Sequence, residues 1–233
     1  MRLNILRFIA IYLLLNVPSY AMSLNYVVAQ IQKGAIQTTD LTASFIQEST
    51  SAYLEKPDIA KGKFYFKKPK KMRWDYETPD KQEVVTDGKT LWIYVEEDRQ
   101  VYVYDAFPFL DSKLGLSFLS FLSGQANLEE SFNISFVEED CSKDSHFVLK
   151  LVPKNPEVDL KELFMWVSKK DFFVDKVRFC DFYGNRTLII LKDVTVNRNI
   201  SDSKFVFSIP EGVEVIKKSW YQQRTQGNFK QSD

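Results

Sequence analysis

The sequence predicts a mainly β protein with few helices, built on a long antiparallel sheet. Three observations carry that expectation. Residues Gly62 to Gln100 read GKFYFKKPKKMRWDYETPDKQEVVTDGKTLWIYVEEDRQ, and their first half alternates almost strictly. Phe64, Phe66, Met72, Trp74 and Tyr76 fall on one parity, against Lys63, Lys67, Lys71, Arg73 and Asp75 on the other. A strand pair with this period presents one aromatic face and one charged face. Asp87-Gly88 and Glu96 to Arg99 are tight connections of the kind that join hairpins. Strand-like segments then recur to residue 209, with helical spacing confined to two places.

Taken in order, the chain opens on a targeting segment. Arg2 and Arg7 form a basic start, Phe8 to Val17 an apolar run, and Ser19-Tyr20-Ala21 a small-x-small cleavage site. That run is shorter than the ~20 residues that span a bilayer. Cleavage after Ala21 leaves Met22 at the new terminus, where a lipid-anchored protein needs cysteine, so an exported chain without its own anchor is expected. Losing Arg2 and Arg7 lowers Lys+Arg from 31 to 29 against 31 acidic residues, a net charge of −2. Overall charge therefore gives no basic footprint for nucleic acid. Residues 22–216 suit one domain burying roughly 70% of its unfolded surface, followed by a polar tail over 217–233.

Leu24, Val27, Val28, Ile31 and Ala35 carry helical spacing over 24–36. Strands are expected near 41–50, 61–67, 71–77, 82–86, 90–95 and 100–104. The segment Ala106 to Asn127 breaks the alternation. Leu114, Phe118, Phe121 and Leu122 sit at helical spacing there, and Gly124 could end a helix. One or two short apolar helices are expected, which pattern alone assigns equally to capping a core. Strands resume near 132–138, 146–152, 162–168, 174–182, 186–196 and 204–209. Cys141 and Cys180 would meet an oxidising compartment if exported. Strands ~4.8 Å apart in a simple meander hold them too far apart to bridge, which favours two inert thiols while leaving a disulfide open.

Aromatic residues make up 15% of the chain, and many share one strand face: Phe64, Phe66, Trp74 and Tyr76, with Phe205 and Phe207 expected alongside. One or two helices cannot pack over that area as a conventional core. A curved sheet can cover such a face with a lid and keep a hollow beneath, although a tightly packed β-sandwich is the plainer alternative.

The block Gly-x-Phe-x-x-Lys-Lys-Pro, then Arg-Trp-x-Tyr-x-x-Pro, then Asp-Gly-Lys-Thr-Leu-Trp-x-Tyr resembles the LolA family of periplasmic lipoprotein carriers. Lys204-Phe-Val-Phe-Ser-Ile-Pro-Glu-Gly-Val-Glu-Val215 is similar to that family's closing strand and turn. The resemblance implies an incomplete β-barrel whose concave face is covered by a helical lid, with acyl chains between. On that reading Phe64, Phe66, Met72, Trp74, Tyr76, Val84, Leu114, Phe118 and Leu122 line the acyl cavity, with 106–127 as the lid. Met72 stands where carriers of this kind place a bulky apolar residue that meets cargo and donor. Where the family commonly has an arginine before the proline, this chain has Lys68, so the implied lid latch would be a mobile ammonium instead of a planar fork. Its plainer reading is a solvated strand-end lysine.

Familiar catalytic patterns are missing. His146 is the single histidine, which with two distant cysteines cannot build a usual zinc site. Gly115-Leu-Ser-Phe-Leu119 lacks the second glycine of a nucleophile elbow, and no phosphate-binding Gly-x-x-x-x-Gly-Lys pattern occurs. Acidic pairs such as Glu96-Glu97 and Glu138-Glu139 read as solvated charge. No enzyme activity, cofactor or metal is expected. The resemblance implies a monomeric carrier of lipoprotein acyl chains, fed by an inner-membrane ABC transporter of the LolCDE type and emptied into a LolB-like outer-membrane acceptor. The alternative is the same fold binding another lipid or glycolipid, or sensing lipoproteins.

Overall fold

The computed structural model describes residues 22–51, 56–106, 127–137, 145–155 and 160–217. Helix α1 (Leu24–Gln37) starts where the Ser23 side chain accepts a hydrogen bond from Tyr26 N at 3.3 Å. Its period buries Val27, Val28 and Ile31. Six strands follow, β1 (Asp40–Thr50), β2 (Asp58–Lys67), β3 (Lys71–Thr78), β4 (Gln82–Thr86), β5 (Thr90–Val95) and β6 (Gln100–Asp105). After a one-turn helix α2 (Leu128–Ser131) come β7 (Phe132–Phe136), β8 (His146–Pro153), β9 (Leu160–Ser168), β10 (Val174–Asp181) and β11 (Arg186–Val196). A 3-10 turn (Asp202–Phe205) and β12 (Glu214–Lys217) close the described chain.

The twelve strands of the described residues lie in one sheet of order β12-β6-β5-β4-β3-β2-β1-β11-β10-β9-β8-β7. β1 is its hinge line, pairing β2 on one side and β11 on the other. The two ends, β12 and β7, do not pair with each other, so the curved sheet is an incomplete barrel. The expected mainly β architecture and its antiparallel meanders are present, with β12 the exception, running parallel to β6.

Register defines two faces. Leu41, Ala43 and Phe45 of β1 stand with Phe64 and Phe66 of β2 on the face that α1 packs against, the inner face. Gly62 is opposite Phe45, and a Cβ there would overlap the Asp75 carbonyl and the Phe45 ring. The glycine of the first motif thus lets Phe45 cross β2 and reach Trp74 and Tyr76, at 4.7 and 5.0 Å between ring centroids.

Residues 204–209 are not a strand. Lys204 and Phe205 end the 3-10 turn and 206–209 follow without a ladder partner, closing a strap that runs from Arg198 over the outer face of β2 to β6. Phe205 is fully buried there, and Phe207 meets Trp92 and Tyr94 at 6.3 and 5.8 Å. Both phenylalanines therefore leave the inner aromatic set. The reason lies in β4 to β6, which carry Val85, Trp92, Tyr94 and Val101 on their outer side and need a second apolar cover. Cys180 is a buried free thiol on β10, and burial pushes its pKa up. Cys141 lies outside the described residues.

Candidate functional site

The inner face of β2 to β4 forms an apolar wall. Phe64 pairs Trp74, Phe66 pairs Met72, and Trp74 pairs Val84, so six expected site residues (with Tyr76) share one side. Phe64 and Phe66 are fully buried, Met72 is 5% and Trp74 8% exposed, and Tyr76 and Val84 pack against their margin. Phe64 and Trp74 lie at 4.3 Å in a tilted stack. Tyr76 ends the wall with a polar tip: its hydroxyl donates to Gln47 Oε1 at 3.1 Å, and burial raises its pKa. Leu114, Phe118 and Leu122 lie outside the described residues, as does the helical reading of 107–126.

The opposite parity points outward. Lys63 lies 3.9 Å from Glu77, and Lys67 and Lys71 each reach Asp202 at 2.7 Å. Those two hydrogen bonds hold the Asp202 carboxyl at a pKa of about 2. Lys67 Nζ also donates to Ile200 O at 2.6 Å, and Arg73 Nη1 to Lys204 O at 3.4 Å. Buried Asp40 accepts from the Arg198 and Asn199 amides at 2.9 and 3.0 Å, tying the start of the strap to β1. Neither aspartate was legible as a structural residue, because an isolated Asp near a strand end reads as solvated charge.

Lys68 does not point into water. Its ammonium donates to Ala35 O at 2.9 Å and Ile36 O at 2.7 Å, two carbonyls in the last turn of α1. Such carbonyls lack helical partners and carry the negative end of the helix dipole, which suits a cation. Burial lowers the Lys68 pKa. The latch was expected to hold the 106–127 segment; its described bonds are to α1 instead. An apolar cleft of about 40 Å³ lies beside this contact, lined by Ile31, Ala35, Leu41, Phe172 and Val174 among others. That is room for a few water molecules, far less than an acyl chain needs.

The profile of the family described as outer membrane lipoprotein carrier protein LolA matches residues 37–208. The chain belongs to the LolA family. It resembles the outer-membrane lipoprotein carrier protein of Nitrosomonas europaea with 32% identity over 158 residues, 68% of this chain and 73% of the relative. The Azotobacter vinelandii carrier is 30% identical over 215 residues, 88% of this chain and 97% of its own length. Among solved structures, a LolA superfamily protein from Nitrosomonas europaea is similar at TM-score 0.42 and 12% identity, over 80% of this chain and 99% of that one. This LolA-family lipoprotein carrier has its wall and Lys68 inside the matched span; α1, with the two carbonyls that Lys68 reaches, lies almost wholly before it.

Proposed function

We propose that this chain is a monomeric periplasmic carrier that shelters lipoprotein acyl chains against the inner wall formed by Phe64, Phe66, Met72, Trp74, Tyr76 and Val84. The observation that supports the reading is the shared core: an aromatic wall on three consecutive strands joins one buried cluster with a helix whose last turn is held by the side chains of Lys68 and Asn197. Exposing a chain of about fifteen methylenes to water costs roughly 12 kcal/mol, so lipoproteins need a shelter to cross an aqueous gap. A packed wall admits such a chain only when its cover swings away, and closing again helps expel it. The donor is an inner-membrane ABC transporter of the LolCDE type and the acceptor a LolB-like outer-membrane protein. Leu114, Phe118 and Leu122 would complete the cavity from the lid side.

Mass spectrometry of molecules that co-purify with the protein from the periplasm tests this reading. Intact lipoproteins support it; free glycolipids would assign the cavity to a different lipid. Met72→Glu places a carboxylate in the wall, at several kcal/mol unless water or a partner reaches it. We expect that variant to fail in releasing lipoproteins from donor membranes, with Met72→Leu restoring release. Normal release by Met72→Glu removes Met72 from the site.

A further inference from the structure

The outer face of β8 to β11 has a character the whole-chain charge conceals. By register, Lys150, Lys176, Arg178, Arg186 and Lys192 stand on it. Against these five cations it sets Glu162, paired with Lys150 at 2.8 Å, while Asp175 is taken up by His146 at 2.8 Å. The chain as a whole has a formal net charge of 0. The cations are interleaved with aromatic rings. Lys176 Nζ sits 4.1 Å over Trp166, and the Arg178 guanidinium 4.2 Å over Phe164.

This strip runs along β10 into the hairpin tip Asp181–Asn185, where Phe182 is 63% and Tyr183 79% exposed. The tip is preorganised. Asp181 Oδ1 accepts from the Tyr183 and Asn185 amides at 2.8 and 2.9 Å, and Gly184 supplies the positive φ of 88° that closes the turn. Two large aromatics are thus held out in water by a rigid loop at the end of a basic strip.

We propose that this strip and its tip dock the carrier on an anionic phospholipid surface. Lysines and arginines are drawn to anionic headgroups, and tyrosine and tryptophan favour the headgroup layer. Four adjacent strands at ~4.8 Å spacing spread the cations over a broad array rather than into a cleft, which suits a membrane plane. The docking face lies on the opposite side of the sheet from the acyl wall, so it does not depend on which cargo that wall takes.

The test is co-sedimentation of the full protein with phosphatidylcholine vesicles that contain or lack phosphatidylglycerol. Binding is expected only with phosphatidylglycerol and is expected to fall steeply as salt is raised. Lys176→Glu with Arg178→Glu should weaken partitioning by about tenfold or more per residue. Lys192→Glu, at an exposed position, gives the same direction should the double variant not fold. Phe182→Ser with Tyr183→Ser should lower binding without removing its salt dependence. Met72→Glu should sediment like wild type, which separates docking from capture of lipid by the inner wall. Equal binding to both vesicle types, or unchanged binding by the Lys192 and tip variants, overturns the proposal. So does a wild type that ignores vesicles yet binds polyaspartate, which would make the strip a protein-docking surface.

Discussion

The two faces of the sheet are covered in different ways. On the inner side α1 buries Val27, Val28 and Ile31 in the same apolar cluster as the wall, beside Leu41 and Phe172 to Val174, and its end is held by two hydrogen bonds from Lys68 and one from Asn197. The outer face is covered by a strap stitched along its length: Asp40 to the Arg198 and Asn199 amides, Lys67 to Ile200 O, Asp202 to Lys67 and Lys71, Arg73 to Lys204 O. Phe205 then plugs the apolar patch beneath. A cover tied at many separate points opens only if all give way together. A helix whose end is held by two side chains, Lys68 and Asn197, can swing while the sheet stays intact. The contrast predicts that the strap is architecture and that α1 is the part that moves.

The largest effect that could break this contrast is Phe205→Ala. Truncating a fully buried phenylalanine typically costs about 3–5 kcal/mol, as lost burial plus the cavity left behind. Chemical denaturation should show that loss, while the fraction still folded transfers lipoprotein at the wild-type rate. A loss below about 1 kcal/mol would mean the strap is a loose appendage. Failed transfer by stably folded Phe205→Ala would mean the outer face takes part in carriage.

Next in size is Lys68→Leu. Charge-assisted hydrogen bonds are worth about 1.5–3 kcal/mol, so their loss should raise the open population roughly tenfold or more with little change in global stability. A hydrophobic dye should bind more strongly, and loaded cargo should be retained. Lys68→Arg should preserve transfer, since the guanidinium reaches the same carbonyls. Unchanged dye binding and transfer in Lys68→Leu would leave α1 held by its apolar stripe and the Asn197 bond to Gln37 O.

Much of this contrast was legible in the sequence, unevenly. The inner wall announced itself because strict alternation fixes which side chains share a face, and a one-residue slip would have reversed them all. Lys68 was found by its place before Pro69, but position along a chain does not say which carbonyl a flexible ammonium reaches. The strap was misread for a physical reason. Phe205 and Phe207 alternate like a strand, and alternation does not reveal whether a ladder partner exists. A second signal was available: Leu91 to Val95 and Val101 to Tyr104 are apolar without alternation, the pattern of strands buried on both faces. That pattern called for an outer cover. The basic strip was hidden because whole-chain charge averages over faces that only the register separates.

The smallest expected effect concerns Asp202, and it sharpens the account of how the strap is held. Its carboxyl is pulled from an ordinary 3.8 to about 2 by hydrogen bonds from Lys67 and Lys71. A carboxyl whose folded pKa is depressed binds fewer protons in the folded state, so its contribution is fully present above 3.8 and is lost as pH falls through about 2. Wild type should therefore exceed Asp202→Asn in stability near neutral pH, and the difference should shrink across that acid window. Because the side chain is 63% exposed, added salt should shrink it as well. Urea midpoints of the two proteins, compared along a pH series at low and high salt, read this directly. A gap that persists unchanged below pH 2 would assign the role of Asp202 to turn geometry. The strap would then rest on Phe205 and the Asp40 amide contacts, with its ion pairs incidental.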